Sequence, residues 1–277
     1  MLDIFNIPGQ QDNVKIFFAR GTTDWQTWQK PRNCKFIWMM CIGGASGGGP
    51  GSNNISGFQG GSGGGSGGVV RALFPSNVLP DTLFIQPGPG GAIAIVGNAQ
   101  TSGNKSFISI TPSSAVTMNI VCTSGNAAAA TTSGETIATV ANAGLLSLGN
   151  FIAIAGQGGG QAAGITPLGT TITCGGAGGG ASSVGGVGFS ISSTSISPGI
   201  NGGVSGSIVN GGSGILSWKP FYALGGAGGS GTLNASLAGN GGNGAIGSGG
   251  GGGGTSTTTS AGNGGRGGDG LVIIATF

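Results

Sequence analysis

The sequence contains no histidine and almost no charged residues. Among 277 residues there are 9 Lys or Arg and 6 Asp or Glu, so charged residues make up 5% of the chain, against about 25% in an ordinary domain. Histidine is the commonest general base in enzymes, and the six carboxylates are far apart along the sequence. We therefore expect a protein without catalytic activity and without catalytic residues.

Several other signals are also missing. The few cations form no basic stripe, which argues against a nucleic-acid partner. No CxxC or Cys/His spacing is present, so neither a metal site nor a cofactor site is predicted, and Cys34, Cys41, Cys122 and Cys174 are interpreted as buried free thiols. The N-terminus lacks the basic start of a secretory signal, and no apolar run reaches 18 residues. We expect no membrane insertion.

What the sequence does have is glycine, at 68 of its 277 residues. Glycine loses more backbone entropy on folding than any other residue, so one interpretation is a disordered chain. Against that interpretation, 37% of the residues are hydrophobic and the mean hydropathy is +0.27. We therefore predict a folded chain in which close backbone packing offsets the entropy cost.

Short β-branched or aromatic runs, bounded by Gly, Pro, Ser or Asn, predict β-strands. Helical periodicity is nearly absent; its best candidate is 138–148, which Gly144 weakens. The aromatic stretch from Trp25 is interpreted as a turn leading into a buried strand, with its rings forming a core for the N-terminal unit. The predicted strands are 14–19, 35–42, 69–74, 82–86, 92–96, 107–111, 116–122, 151–155 and 271–277.

The glycine tracts repeat every three residues. In 262–270 the non-glycine residues are Asn263, Arg266 and Asp269, and shorter versions occur in 225–231, 239–244, 175–180 and 60–65. Three residues per turn is the period of the polyproline II helix, which makes no internal hydrogen bonds. With glycine on two of its three edges, such a helix can approach its neighbours closely enough for their backbones to bond, while the third edge faces outward.

Two other glycine-rich architectures share part of this pattern. Collagen requires an uninterrupted Gly-X-Y repeat with much proline, whereas this chain has 11 prolines and short GGX tracts. A silk-like sheet requires glycine alternating with Ala or Ser, and that alternation is absent.

We therefore predict an all-β fold class in which short strands accompany polyglycine II helices packed in a sandwich or bundle, with almost no α-helix. The predicted domains are an N-terminal strand and attachment segment, 1–42, and a glycine-rich domain, 43–277, closed by the strand 271–277. Because 271–277 and 35–42 are both apolar and flank the glycine region, we expect them to pair and so hide two strand edges.

One aromatic cluster differs from the rest. Trp218, Lys219, Phe221 and Tyr222 lie in a loop between glycine tracts and include the only tyrosine. Aromatic residues are enriched at binding surfaces because they bury much area at low entropy cost. These four residues are the predicted receptor-binding residues; the alternative is that the rings simply anchor the loop.

The order of these motifs resembles the glycine-rich domain of virus and prophage tail-fibre proteins. WQKP at 28–31 is followed by an apolar strand ending in a glycine tract at 43–49, a second tract at 60–68, and the closing GGDGLVIIATF at 267–277. The segment PDTLFIQPGPGG at 80–91 resembles the internal strand of that domain. The tracts are also similar to those of the adhesins on T-even long tail fibres. Unlike those adhesins, this chain keeps long stretches poor in glycine tracts, 98–155 and 187–224, and it ends on an apolar strand.

The resemblance implies polyglycine II helices in a sandwich, with loops at the bundle end that contact a host receptor. The expected function is that of a virion protein, a tail-fibre or spike tip component that binds a host surface glycan or outer-membrane protein. Alternatives are a capsid fibre, decoration or collar protein without receptor contact, and a cellular surface or ice-binding polyglycine protein. Expected partners are other virion proteins and further copies of the chain, most simply in a trimer.

Overall fold

The computed structural model describes residues 13–53, 59–115, 118–123, 149–161, 163–169, 171–180, 186–204, 208–232, 237–257 and 260–277. The described part is almost entirely β-strand and extended chain, as predicted, and helix is confined to short 3-10 turns such as Ser76–Val78. Its strands are β1 (Val14–Phe18), β2 (Gln26–Gln29), β3 (Phe36–Ile42), β4 (Val69–Pro75), β5 (Thr82–Gln86), β6 (Phe107–Ser109), β7 (Asn119–Cys122), β8 (Asn150–Ile154), β9 (Leu216–Trp218), β10 (Phe221–Ala223) and β11 (Leu271–Thr276).

Most of the predicted strands are present, and three predictions need comment. The prediction of a strand at 92–96 is wrong, because this segment bonds to the glycine tracts with a three-residue spacing instead of pairing in a sheet. The stretch from Trp25 contains a strand that was not predicted, β2, before a turn at Arg32 and Asn33 leads into the buried strand β3, and Trp28 is buried in the core. The candidate helix 138–148 and positions 116–117 lie outside the described residues.

Five strands form an antiparallel sheet in the order β1-β11-β3-β4-β8, which differs from their order along the chain. The predicted pairing of the closing strand is confirmed: β11 runs antiparallel to β3, with Leu271 opposite Ile42 and Thr276 opposite Ile37. Strand β11 also pairs with β1 on its other side, so both of its edges are covered. The first and last strands of the described chain therefore belong to one sheet.

Side chains alternate across this sheet because successive strand residues point to opposite faces. On β3, Ile37, Met39 and Cys41 enter the core shared with a second antiparallel sheet, β2-β5-β6-β7. Residues on the opposite face, such as Met40 and Ile42, pack in a separate cluster against the β9-β10 hairpin. The five-stranded sheet is thus a middle layer between the second sheet and the hairpin.

The glycine tracts extend from this sheet as extended segments that hydrogen-bond every third residue. Segments 43–53 and 59–68 run antiparallel, with backbone bonds joining Gly43 to Gly68, Ser46 to Gly65, Gly49 to Ser62 and Ser52 to Gln59. Between these bonded positions, the remaining amides point to other neighbours. This is the three-residue period that the sequence predicts, in place of the two-residue period of a sheet.

The segment 247–257 occupies the centre of this arrangement, which we call the glycine bundle. Its successive amides turn to three different neighbours: Gly249 donates to Cys174, Gly250 to Ser46 and Gly251 to Gly242, and 252–254 repeat the cycle. Its carbonyls accept from three further segments, 59–68, 223–232 and 260–270. A backbone surrounded on all sides in this way satisfies its polar groups without forming either a helix or a sheet.

The glycines are needed for close approach and only rarely for backbone conformation. A Cβ on Gly251 would overlap the carbonyl of Ala227, and one on Gly253 would overlap the carbonyl of Gly262. In contrast, a positive φ occurs at few described glycines, among them Gly247 with φ +64°, in the turn that leads into the central segment. Glycine therefore fills the bundle because its neighbours leave no room for a side chain.

Candidate functional site

The four predicted receptor-binding residues lie in and beside the β9-β10 hairpin. Trp218 ends β9, Phe221 begins β10, and Lys219 and Pro220 form the exposed turn between them, with a cis bond before Pro220. The rings of Trp218 and Phe221 contact each other, with centroids 5.3 Å apart and planes 34° apart. The structure therefore brings two of the predicted aromatic residues together.

All three rings are partly buried against the body of the molecule. Trp218 and Phe221 pack on the cluster of the five-stranded sheet that contains Met40 and Ile42. Tyr222 points to the other face of the hairpin and packs on the bundle cluster that contains Cys174 and Leu224. The hairpin thus fastens the bundle to the sheet, and its role in receptor binding stays a prediction.

A second surface, not foreseen from the sequence, lies on the outer edge of the bundle. Segments 208–215, 237–245 and 260–270 lie side by side, and the GGX pattern places a polar residue outward on each at every third position. We call this surface the amide face; its residues are Asn210, Ser213, Asn240, Asn243, Asn263 and Arg266. The signal was present in the sequence as asparagine at the outward positions of neighbouring tracts.

Two rows of side-chain hydrogen bonds cross the amide face. In the first row, Asn210 Oδ1 accepts from the Asn240 amide and Asn240 Oδ1 from the Asn263 amide, each at 2.8 Å. In the second, Ser213 Oγ accepts from the Asn243 amide at 3.4 Å and Asn243 Oδ1 from the Arg266 amide at 2.8 Å. The amides of Asn240, Asn243, Asn263 and Arg266 are thus each capped by a side chain of the adjacent segment.

Charge on this face is balanced locally. The Arg266 guanidinium lies 2.7 Å from Asp269 Oδ1, three residues further along the same segment. The same carboxylate oxygen accepts from the Gly90 amide at 2.8 Å. The face consequently presents amides and hydroxyls with no net charge from this pair.

The end of the bundle opposite the sheet gathers several segment ends. Direct backbone bonds join Ser256 to Ser52, Thr255 to Gly180 and Thr232 to Thr255. Nearby, Ser52 bonds to Gln59, and the Ala261 amide donates to Asn53 Oδ1 at 2.7 Å. We call this region the loop end; its described residues are Ser52, Asn53, Gln59, Gly180, Thr232, Thr255, Ser256 and Ala261.

All four cysteines are free thiols, and three of them are buried. Burial raises the pKa of the Cys174 thiol to about 12, although the Gly225 amide, 2.8 Å from Sγ, opposes this shift. Burial likewise raises the pKa of Cys41, and the nearby Cys122 adds to the effect. These thiols are protonated at neutral pH and are poor nucleophiles in that state.

One further polar site in the described residues is occupied by structural contacts. In a cavity of about 280 Å³, Lys30 Nζ contacts Asp81 Oδ1 at 2.9 Å and the Leu79 carbonyl at 2.7 Å. Within the described ranges there is no cluster of three or more metal-ligating side chains. The same ranges contain no helix long and apolar enough to cross a bilayer.

The family model of the glycine-rich domain matches residues 20–276, which is nearly the whole described chain. The comparison with curated proteins gave no match.

Proposed function

Because the chain belongs to the glycine-rich domain family, we propose that it is a non-catalytic virion protein that serves as the tip of a tail fibre or spike and binds a host surface receptor. The proposal rests on the order of motifs from WQKP at 28–31 to the closing strand at 271–277, which resembles tail-fibre proteins. In this proposal the segments of the glycine bundle are polyglycine II helices, and other virion proteins and further copies of the chain are its partners.

The observation that carries the proposal is the difference between the two ends of the molecule. At one end, β1 and β3 of the predicted attachment segment 1–42 lie in the five-stranded sheet. At the other end, the described ends of several bundle segments are hydrogen-bonded to one another. A rigid scaffold that presents clustered loops is the usual arrangement of a recognition surface.

An attachment tip must also resist the pulling force between particle and host, and the structure of the glycine bundle suits this requirement. Its segments are bonded to neighbours that are distant in sequence, for example Ser46 to Gly250 and Gly64 to Gly176. Pulling one segment out breaks hydrogen bonds to several others at once. Such a scaffold can hold binding loops in place under load while carrying few charges of its own.

The outward residues of the amide face favour this role over ice binding. A regular Thr/Ala surface across neighbouring helices would favour an ice-binding protein. The described outward positions of the amide face carry Asn, Ser and Arg instead. This composition favours recognition of a hydrogen-bonding ligand.

Immunogold electron microscopy tests the proposed function on particles of the virus whose genome encodes this chain. An antibody raised against the purified protein should label the ends of fibres or spikes, and the same antibody should reduce adsorption of particles to host cells. Labelling of the capsid alone, or of no particle, would contradict a role as an attachment tip.

A further inference from the structure

We propose that the amide face binds an uncharged polysaccharide chain, with the side-chain amides of Asn210, Asn240, Asn243 and Asn263 donating hydrogen bonds to its hydroxyl or N-acetyl oxygens. This inference rests on the proposed attachment function and names a ligand class and a surface for it. It is separate from the loop end and from the aromatic hairpin.

The orientation of these side-chain amides is fixed by the backbone groups that they cap. Asn240 Oδ1 and Asn243 Oδ1 each accept from a backbone amide, at 2.8 Å in both cases. Asn210 Oδ1 also accepts at 2.8 Å, and Asn263 Oδ1 accepts from the Val96 amide at 3.3 Å. Because a backbone N–H can only donate, the oxygen of each side chain must face it, and the NH₂ group must face away.

The NH₂ groups of these side chains are available to a ligand. Within the described residues, Nδ2 of Asn210, Asn240, Asn243 and Asn263 donates no hydrogen bond, and three of these four residues are exposed. Each amide therefore offers two donors to solvent in an orientation set by the backbone. A ligand rich in acceptor oxygens can use these donors without any rearrangement of the side chains.

The NH₂ donors form a two-dimensional array on the amide face. Asn240 and Asn243 are three residues apart, which corresponds to about 9 Å along a threefold extended helix. Asn210 and Asn263 lie on the two segments that flank Asn240. A repeating array fits a ligand that itself repeats, such as a sugar chain, better than a single small molecule.

Exposed apolar side chains lie at the margins of the amide face. Leu237 is 58% exposed and lies three residues before Asn240, on the same edge of its segment. On another margin, Ile95 is 51% exposed and precedes Val96, whose amide Asn263 caps. Sugar rings present C–H surfaces as well as hydroxyls, so exposed aliphatic side chains beside amide donors match both parts of a pyranose.

The charge of the face decides between sugar classes. Its only cation, Arg266, pairs with Asp269 at 2.7 Å. A polyanionic glycan would need uncompensated cations, as polyanions generally do. We therefore assign the face to neutral chains and not to sulfated or phosphorylated ones.

The test uses the full-length protein and two soluble probes, chitohexaose and maltohexaose, with binding followed by NMR titration. The variant N240D/N243D keeps an oxygen that caps each backbone amide but removes the outward NH₂ donors. The matched control N77D/N150D adds the same charge at exposed positions away from the face. We expect wild type and control to bind at least one probe, and the face variant to bind it at least about tenfold more weakly with an unchanged unfolding midpoint.

Three outcomes would overturn the inference: no binding of either probe by wild type, equal binding by the face variant and the control, or tighter binding of heparin than of both neutral probes. The result is independent of the immunogold experiment. Labelled fibre tips without sugar binding would refute only the amide-face inference. Sugar binding without labelled particles would refute only the proposed viral function.

Discussion

At the scale of single residues, the main requirement of this fold is the absence of a Cβ atom. On Gly265 a Cβ would overlap the Gly242 carbonyl, and on Gly268 it would overlap the Ala245 carbonyl. Both obstacles are backbone atoms of residues that are hydrogen-bonded to a neighbouring segment, so they cannot move aside as a flexible side chain could. The outward residue Asn263, in contrast, is partly exposed on the same segment.

Replacing Gly265 with valine should therefore lower the free energy of unfolding by at least about 3 kcal/mol, the upper part of the range for overpacked cores. The matched control places the same valine at Asn263 and should cost less than about 1 kcal/mol, since only one long side-chain hydrogen bond, to the Val96 amide at 3.3 Å, is lost. Urea unfolding of the two variants measures the difference. Equal midpoints would show that the glycines are not in close backbone contact.

The sequence predicted this residue pattern well, but only in part. The GGX period in 262–270 correctly separates inward glycines from outward Asn263, Arg266 and Asp269. It did not reveal that the asparagine oxygens cap amides of the adjacent segment. That contact depends on which segments are neighbours, and Asn240 and Asn263 are far enough apart in sequence that no local rule connects them.

At the scale of elements, strands were predictable where apolar residues are dense and long enough. Strands β3, β4 and β11 contain six or seven residues each and carry the core. Strands β9 and β10 contain only three residues each, too few for a recognisable alternation. The segment 92–96 has the composition of a strand, but its position beside 260–270 gives it the bonding pattern of the bundle.

The hairpin of β9 and β10 gives a prediction at this scale. Trp218→Ala should destabilise the protein by about 3 kcal/mol, the usual cost of truncating a large aromatic side chain in a packed site, because its ring packs on Phe221 and on the sheet cluster. Lys219→Ala, in the exposed turn, should leave thermal stability unchanged. If Trp218→Ala retained full stability but lost adsorption to host cells, the rings would be receptor contacts and not structural anchors.

At the scale of the whole molecule, the order of strands and segments could not be read from the sequence. Neighbours in the bundle are often far apart along the chain, as with Gly48 and Gly265. The tracts are nearly identical in composition, so hydrophobic patterning cannot select among pairings. The closing of the sheet by β11 was predictable because its apolar strand has few suitable partners.

Surface composition gives a prediction about assembly. Between Ser106 and Trp218 the only charged residue is Glu135, and large apolar side chains such as Ile152, Ile196 and Ile208 are more than half exposed. Soluble surfaces usually carry about 25–35% charged residues, so we expect this stretch to be covered in a homo-oligomer, most simply a trimer. Light scattering coupled to size-exclusion chromatography measures the mass. A stable monomer at micromolar concentration would contradict this prediction.

The central claim is that the glycine segments form one cooperative hydrogen-bonded bundle around 247–257. Hydrogen–deuterium exchange followed by mass spectrometry tests it most directly, because this segment belongs to no long strand or helix and yet its amides are bonded to three neighbours. We predict that peptides covering 247–257 exchange as slowly as those covering β3 and β11, at the rate set by global unfolding. Complete exchange of 247–257 within seconds, while β3 and β11 remain protected, would contradict the account.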